Sequence, residues 1–399
     1  MVQSGGACLI RGKIALRVKA SSRVTFRALM GSLIAVGAFL LGPAVSRSLA
    51  ASLAPSTVSA TGFPFPRPAS IEPNIKFWVD VFSAYSERDF LIHDRDCVWR
   101  IYQVLHLPGE GAPGRGEIDS VNDYLKTKFS GILNRLASGQ APADYEERQV
   151  AALFKGEPLS AYALAAQNLR VQQGMREEFR EGLLRSRYYR STMERIFSDA
   201  DLPPELVTLA EVESGFYNRA RSDAGAVGIW QFTRGTGRQF MRITRYHDDR
   251  LDPTTETEAA AKLLRSNYLT FGNWPLAITA YNYGTAGMEQ AAEQYQSDYG
   301  RILRSYDGPH FGFASKNYYP EFLAALQIHR YENVYFPDIE YAEAPPPPVV
   351  RTDFTPPRRH HSRIHRVAYH HSHRSHRHRM VHRVSYHHRH TARRHGELT

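Results

Sequence analysis

Glu213 stands at a position where the local pattern would place an apolar side chain. Leu202, Leu206, Leu209, Glu213 and Phe216 are spaced by four, three, four and three residues, which puts them on one face of a helix. A carboxylate on an otherwise apolar face points toward the core or into a cleft, and burial there raises its pKa. A glutamic acid whose pKa lies near neutrality can give a proton and take one back. The spacing therefore makes Glu213 a candidate general acid/base.

The periodicity alone leaves a second interpretation of Glu213 open. A glutamate near a helix end can turn to solvent or pair with a nearby arginine, and Arg219 and Arg221 are close in sequence. The segment 217–231 that follows is rich in Gly, Ala and Ser, so its backbone can adopt unusual angles and let a substrate approach closely. This segment favours a site beside Glu213.

Four further residues have the chemical types that a saccharide site needs, namely flat apolar rings and amide groups. They are Trp230, Gln231, Tyr281 and Asn282. Taken alone, Trp230 and Tyr281 are more often core residues, because large rings are usually buried. We expect all four to contact substrate if the segments that carry them meet Glu213.

The elements that must position these residues are predicted to be helices. Leu202-Pro203-Pro204-Glu205 is typical of a helix start, with Asp201 as its N-cap, and Trp274-Pro275 opens another helix that runs to Gly284. Between residues 75 and 199 apolar residues recur at helical spacing, and no alternating strand pattern of useful length is present. The sequence therefore predicts an all-α fold.

The chain has 399 residues and a formal charge of +10, but this charge is unevenly distributed. Residues 1–50 carry +7 and residues 351–399 carry +10, so the segment between them is acidic at −7. An acidic body argues against a nucleic-acid partner. The basic start followed by an apolar run predicts a signal peptide or an inner-membrane anchor over 1–50. Either one predicts export to the periplasm or cell envelope.

Several ordered motifs resemble those of lytic transglycosylases with a soluble-type (SLT) catalytic domain, and most closely their membrane-bound D branch. They are Leu202-Pro203-Pro204-Glu205-Leu206, Glu213-Ser214-Gly215-Phe216, Ala220-Arg221-Ser222, Gly225-Ala226-Val227-Gly228-Ile229-Trp230-Gln231, Asp249-Arg250-Leu251-Asp252-Pro253, Ala280-Tyr281-Asn282-Tyr283-Gly284 and Asn317-Tyr318-Tyr319-Pro320. The resemblance is strong over 200–330 and weaker over 75–199.

The resemblance implies a lysozyme-like catalytic domain over 196–335. It would be preceded by a linker (51–73) and a helical region (74–195) that serves as a packing platform or groove wall, and followed by a Pro-rich linker (336–358). It implies cleavage of the β-1,4 bond between N-acetylmuramic acid and N-acetylglucosamine in peptidoglycan glycan strands. Glu213 would be the catalytic acid/base, and Ser222, Gln231, Tyr281 and Asn282 would contact substrate or orient Glu213. Ser214 would be structural, and no cofactor or metal is required.

The implied reaction needs one carboxylic acid. Glu213 would protonate the leaving oxygen and then take the proton from the muramoyl C6 hydroxyl, which closes a 1,6-anhydro ring. Ordinary glycosidases use two carboxylates. One alternative is therefore a hydrolytic muramidase of the same fold, in which Asp223, Asp248 or Asp249 activates water. Another is an inactive peptidoglycan-binding protein.

The last segment, 359–399, is rich in Arg and His and departs from the wall-binding repeats common in this branch. Thirteen of the eighteen histidines follow residue 359. This composition predicts disorder. We expect the tail to attach to an anionic wall or outer-membrane surface, more strongly when the imidazoles are charged. One alternative is nonspecific metal binding, for which the candidate histidines are His370, His371, His387 and His388. Another is a solvated tail without a specific partner.

Overall fold

The computed structural model describes residues 63–339. Its elements in chain order are α1 (Glu72–Ser83), β1 (Asp89–Asp94), β2 (Ile101–His106), α2 (Arg115–Ala137), α3 (Tyr145–Ala152), α4 (Leu159–Gln167), β3 (Leu169–Gln173), α5 (Arg176–Asp199), α6 (Leu209–Ser214), α7 (Arg234–Gly237), α8 (Pro253–Phe271), α9 (Trp274–Tyr283), α10 (Thr285–Tyr295), α11 (Tyr299–Ser305), α12 (Phe313–Arg330) and α13 (Glu332–Tyr335). Short 3-10 helices cover Ala69–Ile71, Pro204–Thr208 and Asp249–Leu251. The predicted helical class is confirmed.

A three-stranded antiparallel sheet in the N-terminal region is the main departure from the sequence prediction, which contained no strand. Its strand order is β2-β1-β3. The central strand β1 is buried along almost its whole length, including Phe90, Leu91, Ile92 and His93. A strand that is buried on both faces does not alternate between apolar and polar residues, so the pattern that would have indicated it is missing from the sequence.

The sheet separates two hydrophobic cores. Phe90 and Ile92 belong to a small core with α2, α3 and α4, whereas Leu91 belongs to the large core that contains α1, α5 and the helices after residue 200. Successive side chains of a strand point to opposite faces, so one strand serves both cores. The N-terminal region is thereby packed onto the remainder of the described chain.

Helix α1 packs against α12, which connects the N-terminal region to the last long helix. Asn317 on α12 accepts hydrogen bonds at its Oδ1 from the side chains of Asn74 and Trp78 on α1, at 3.1 Å each. Asn74 and Trp78 lie more than 200 residues before Asn317 in sequence, and such long-range pairs fix the position of α12. This contact is consistent with the packing platform expected for the N-terminal region.

The helix predicted to begin at Leu202 is divided into two parts. A 3-10 helix, Pro204–Thr208, leads directly into the short α6. Asp201 does not cap it, which corrects the prediction, because Asp201 takes a left-handed backbone conformation with φ 55° just after α5 ends. The apolar face is nevertheless buried as predicted by its spacing, as seen at Leu202, Leu206, Leu209 and Phe216.

Three predictions concern residues outside the described range: the signal segment, most of the linker over 51–73, and the histidine-rich tail. Among residues 63–339, no helix is both long enough and apolar enough to span a membrane.

Candidate active site

Helix α6 ends one residue after Glu213, and its last turn is tied to the loop that follows. Gly215 closes the helix in the left-handed conformation, with φ 54°. The hydroxyl of Ser214 donates to the backbone oxygen of Ile229 at 2.8 Å, which is the structural role expected for Ser214. These contacts fix Glu213 between the helix end and the segment 217–231.

Glu213 is half-buried and its carboxylate is hydrogen-bonded to a tyrosine. The hydroxyl of Tyr318, on α12, donates to Oε1 of Glu213. Burial raises the pKa of Glu213 to about 7, although the hydrogen bond from Tyr318 acts in the opposite direction because it favours the charged form. Glu213 is therefore a carboxyl group that exchanges its proton near neutral pH, while retaining exposure through which a ligand can reach it.

Tyr281 contacts both Tyr318, the partner of Glu213, and the loop that carries Trp230. Its ring stacks on that of Tyr318, with centroids 6.4 Å apart and planes within 6°. Its hydroxyl donates to the backbone oxygen of Trp230 at 2.9 Å. Burial, followed by the charges of Glu213 and Glu256, raises the pKa of Tyr281 well above its usual value, so this hydroxyl keeps its proton and stays a donor.

Trp230 belongs to the core and does not form the flat sugar-binding surface that its residue type suggested. Its side chain is fully buried, stacks on Phe197 with centroids 5.5 Å apart, and donates from Nε1 to the hydroxyl of Thr257 at 3.0 Å. A ring without exposed surface cannot contact a sugar in this conformation. Trp230 serves the site through its backbone oxygen, which anchors Tyr281.

Two buried charged side chains, neither of them assigned a role from the sequence, hold the loop in place. The carboxylate of Glu256 accepts hydrogen bonds from the backbone nitrogens of Ile229 and Trp230, both at 2.9 Å. Arg250 is paired with Asp248 at 2.7 Å and donates to the backbone oxygens of Gly225 and Phe232. Arg250 lies within the motif Asp249 to Pro253, which resembles the family pattern. That motif was the one feature of the sequence from which a role for Arg250 could have been predicted.

The remaining three predicted contact residues lie at the surface of the same region. Ser222 is exposed, and its hydroxyl accepts a hydrogen bond from the backbone nitrogen of Ala226 at 3.1 Å. Gln231 is half-buried and donates from its side chain to the oxygen of Gly228 at 2.8 Å. Asn282 is exposed and accepts from the hydroxyl of Ser315 at 2.9 Å. Their hydrogen bonds run to these partners and not to Glu213.

A second carboxyl group near Glu213 was missed by the sequence analysis. Glu321 lies one helical turn after Tyr318 on α12, and the charge of Glu213 is one of the causes of its raised pKa. Burial is the larger cause, and the two together raise the pKa of Glu321 to about 8. Glu321 is therefore mostly protonated at neutral pH. No signal in the local sequence distinguishes it, because its neighbour Glu213 is distant along the chain.

The aspartates considered for a hydrolytic mechanism are placed differently from Glu321. Asp248 is buried in its ion pair with Arg250, which lowers the pKa of Asp248 against the effect of burial. Asp249 accepts from the backbone nitrogen of Arg242 at 2.8 Å and pairs with His247. Asp223 is exposed on the loop. Asp248 and Asp249 are thus occupied in supporting the backbone.

The comparison with protein families shows that residues 196–302 match the transglycosylase SLT domain. We refer to this matched segment as the SLT domain. The recognition made from the motifs is thereby confirmed. Tyr318 lies beyond the matched SLT segment, yet it contacts Glu213, so α12 contributes to the site.

Two kinds of relatives share similarity with the SLT domain. Membrane-bound lytic murein transglycosylase D of Escherichia coli (strain K12) is 35% identical over 130 residues, which are 32% of this chain and 28% of that protein. The chain thus spans under a third of the length of this curated relative. The lytic transglycosylase Slt of Pseudomonas aeruginosa, solved as an inactive mutant, is 23% identical and has a TM-score of 0.31, with 36% of this chain and 24% of that chain covered.

The residues that surround the site offer no ready place for a metal ion. Within residues 63–339, no group of three or more His, Cys, Asp or Glu side chains has a suitable arrangement. Independently of any metal, Glu213 can exchange a proton, and the hydroxyls of Tyr318 and Tyr281 are hydrogen-bond donors in the same region.

Replacing Tyr318 by phenylalanine should move the pH dependence of activity upward. Loss of the hydroxyl removes a hydrogen bond that favours the ionised form of Glu213, so the pKa of Glu213 rises. Glu213 then stays protonated to higher pH, and the alkaline limb of the rate profile shifts up by roughly one pH unit. Rates of glycan release from pH 5 to 9 measure this. Tyr319→Phe is the matched control, because that hydroxyl donates to Pro66; equal profiles for the two variants would contradict the assignment.

Proposed function

We propose that the chain is a peptidoglycan lytic transglycosylase that cleaves the bond between N-acetylmuramic acid and N-acetylglucosamine without water. The observation that supports this most directly is Glu213, a half-buried carboxyl group of the SLT domain with a pKa of about 7. The relative in Escherichia coli is named a lytic murein transglycosylase, which agrees with peptidoglycan as the substrate.

In the proposed reaction, Glu213 acts first as an acid and then as a base. It protonates the glycosidic oxygen as the bond to the muramoyl C1 breaks, and the resulting carboxylate accepts the proton of the muramoyl C6 hydroxyl. The C6 oxygen bonds to C1 and gives the 1,6-anhydro end, so the proton balance of Glu213 is restored. A pKa near neutrality suits a group that must perform both steps.

The protonation state of Glu321 favours this single-acid mechanism over hydrolysis. A muramidase would need an ionised second carboxylate to activate water or to bind the reaction centre. Glu321, whose pKa is raised to about 8, carries its proton at neutral pH and therefore lacks that capacity. The two aspartates beside Arg250 are engaged with other partners. Glu213 is thus the residue proposed as the sole acid/base.

Ser222, Gln231, Tyr281 and Asn282 are proposed as substrate contacts. Ser222 and Asn282 are exposed, and Gln231 and Tyr281 are half-buried, which permits contact with a glycan. The protein is further proposed to act in the cell envelope, with the exported chain reaching the wall through its N-terminal signal and its basic tail. The membrane-bound character of the Escherichia coli relative agrees with that location.

The mass of the reaction products tests the proposal. Purified peptidoglycan is incubated with the full chain, and the soluble fragments are analysed by mass spectrometry. We expect muramoyl ends that are lighter than hydrolysed reducing ends by one water molecule. Hydrolysed ends would instead assign the chain to the muramidases, and the absence of any release would support a binding role. A parallel digestion with a hydrolytic muramidase supplies the reference masses.

A further inference from the structure

Arg170 of the N-terminal sheet lies against the helix that carries Tyr318 and Glu321. It is on β3, paired with His93 of β1. Its guanidinium group lies over the ring of Phe313 at 3.9 Å from the ring centroid, and Phe313 is the first residue of α12. The contact between a guanidinium and an aromatic ring holds the charge at a defined place. The sheet thus brings a cation to the start of the helix that contributes to the site.

The charge of Arg170 has no fixed anion among the described residues. No carboxylate within residues 63–339 forms an ion pair with it, and its Nε is buried without a hydrogen-bond partner. Burial lowers the pKa of the adjacent His93 to about 4, so that ring is neutral. A half-buried guanidinium with an unused donor is costly unless a partner supplies the missing acceptor.

The electrostatic neighbours of Arg170 connect it with the catalytic group. Arg170 lowers the pKa of Glu321, and Glu321 in turn raises the pKa of Arg170. The charge of Glu213 acts on Glu321 in the opposite direction and raises its pKa. Glu321 acts on Arg170 electrostatically but forms no ion pair with it, and Nε of Arg170 is left without an acceptor. A ligand that reaches Glu213 can therefore present an anionic substituent to a cation that the protein leaves uncompensated.

We infer that Arg170 binds a carboxylate of the muramoyl substituent and so selects glycan strands by their charged side groups. This inference rests on the proposed function. The carboxylate can belong to the lactyl group of a peptide-free strand or to a stem peptide. A guanidinium group can hold either through two parallel hydrogen bonds, which a lysine at the same place would not reproduce. Arg170 is then a specificity-determining residue supplied by the N-terminal region.

Binding measured in an inactive background separates this role from catalysis. The full chain with Glu213→Gln is titrated with three tetrasaccharides. Two are peptidoglycan fragments, one with and one without stem peptides, and the third is the uncharged tetramer of N-acetylglucosamine. Arg170→Met retains an apolar contact with Phe313, and Arg170→Lys retains the charge. Arg148→Met is the matched control, because Arg148 is an exposed arginine on α3 of the same region and is not among the charges that act on Arg170.

We expect Arg170→Met to weaken binding of a carboxylate-bearing strand about tenfold, a loss of the size of one charged hydrogen-bonded contact, and to leave the uncharged oligomer unchanged. Arg170→Lys should recover only part of the affinity, and Arg148→Met should bind like the parent. If Arg170→Met also weakens binding of the peptide-free strand, Arg170 binds the lactyl carboxylate. If it weakens binding of the peptide-bearing strand alone, Arg170 binds a carboxylate of the stem peptide. Equal effects on all three oligomers, or none, would overturn the inference alone. Failure of the parent to bind any of the three would overturn the proposed function as well.

Discussion

Glu213→Gln is expected to lower the rate of glycan release roughly 10³-fold, the size of effect typical for the loss of a general acid. The amide has nearly the same shape as the protonated carboxyl group but cannot give up a proton to the leaving oxygen. The side chain is half-buried, and Tyr318 can still donate to the amide oxygen, so the fold should tolerate the change. The measurement is the initial rate of soluble fragment release from purified peptidoglycan by the full chain.

Glu205→Gln is the matched control for this experiment. Glu205 lies in the 3-10 helix that leads into α6, so the control makes the same chemical change a few residues away from Glu213. It should retain the parental rate. Both variants should keep the parental circular dichroism spectrum and unfolding midpoint. If Glu213→Gln retained more than a tenth of the parental rate, Glu213 would not be the sole acid and Glu321 would be the next residue to replace.

The sequence predicted those parts of the site whose neighbours are close along the chain. The apolar face around Glu213 could be recognised because helical spacing brings residues three and four apart together. The helix from Trp274 to Tyr283 follows from equally local signals, the Trp274-Pro275 start and Gly284 at its end. The motifs identified the SLT domain because they keep their order along the chain.

The parts that were missed depend on contacts between distant segments. Tyr318 and Glu213 are 105 residues apart, and nothing near either residue indicates that they are hydrogen-bonded. Trp230 was a candidate for substrate contact because its type suits sugar binding, but Phe197 and Thr257 enclose it from two other elements. The sheet was missed for a comparable reason, since β1 is covered on both faces by helices, most of which lie far from it in sequence.

The conformation of the loop beside Glu213 requires a glycine in addition to its hydrogen bonds. Gly228 has φ +91°, a conformation that other residues rarely adopt, and a Cβ atom there would lie 2.1 Å from the backbone oxygen of Arg250 and 2.3 Å from Oε1 of Glu256. Neither neighbour can withdraw easily, because one is backbone and the other is held by the nitrogens of Ile229 and Trp230. The close approach explains why this position of the loop requires glycine.

Gly228→Ala is therefore expected to lower the free energy of unfolding by about 3 kcal/mol, from backbone strain together with overpacking. Activity should fall in parallel, because the displaced loop carries the Trp230 oxygen that anchors Tyr281. Gly225→Ala is the matched control: it also has a positive φ, +78°, but a Cβ there meets nothing within 4 Å, so it should cost only about 1 kcal/mol. Urea unfolding midpoints of both variants measure the difference. Equal midpoints would mean that strain alone, and not the contact with Arg250 and Glu256, determines the need for glycine, and the loop would then not be fixed by the packing around Glu256.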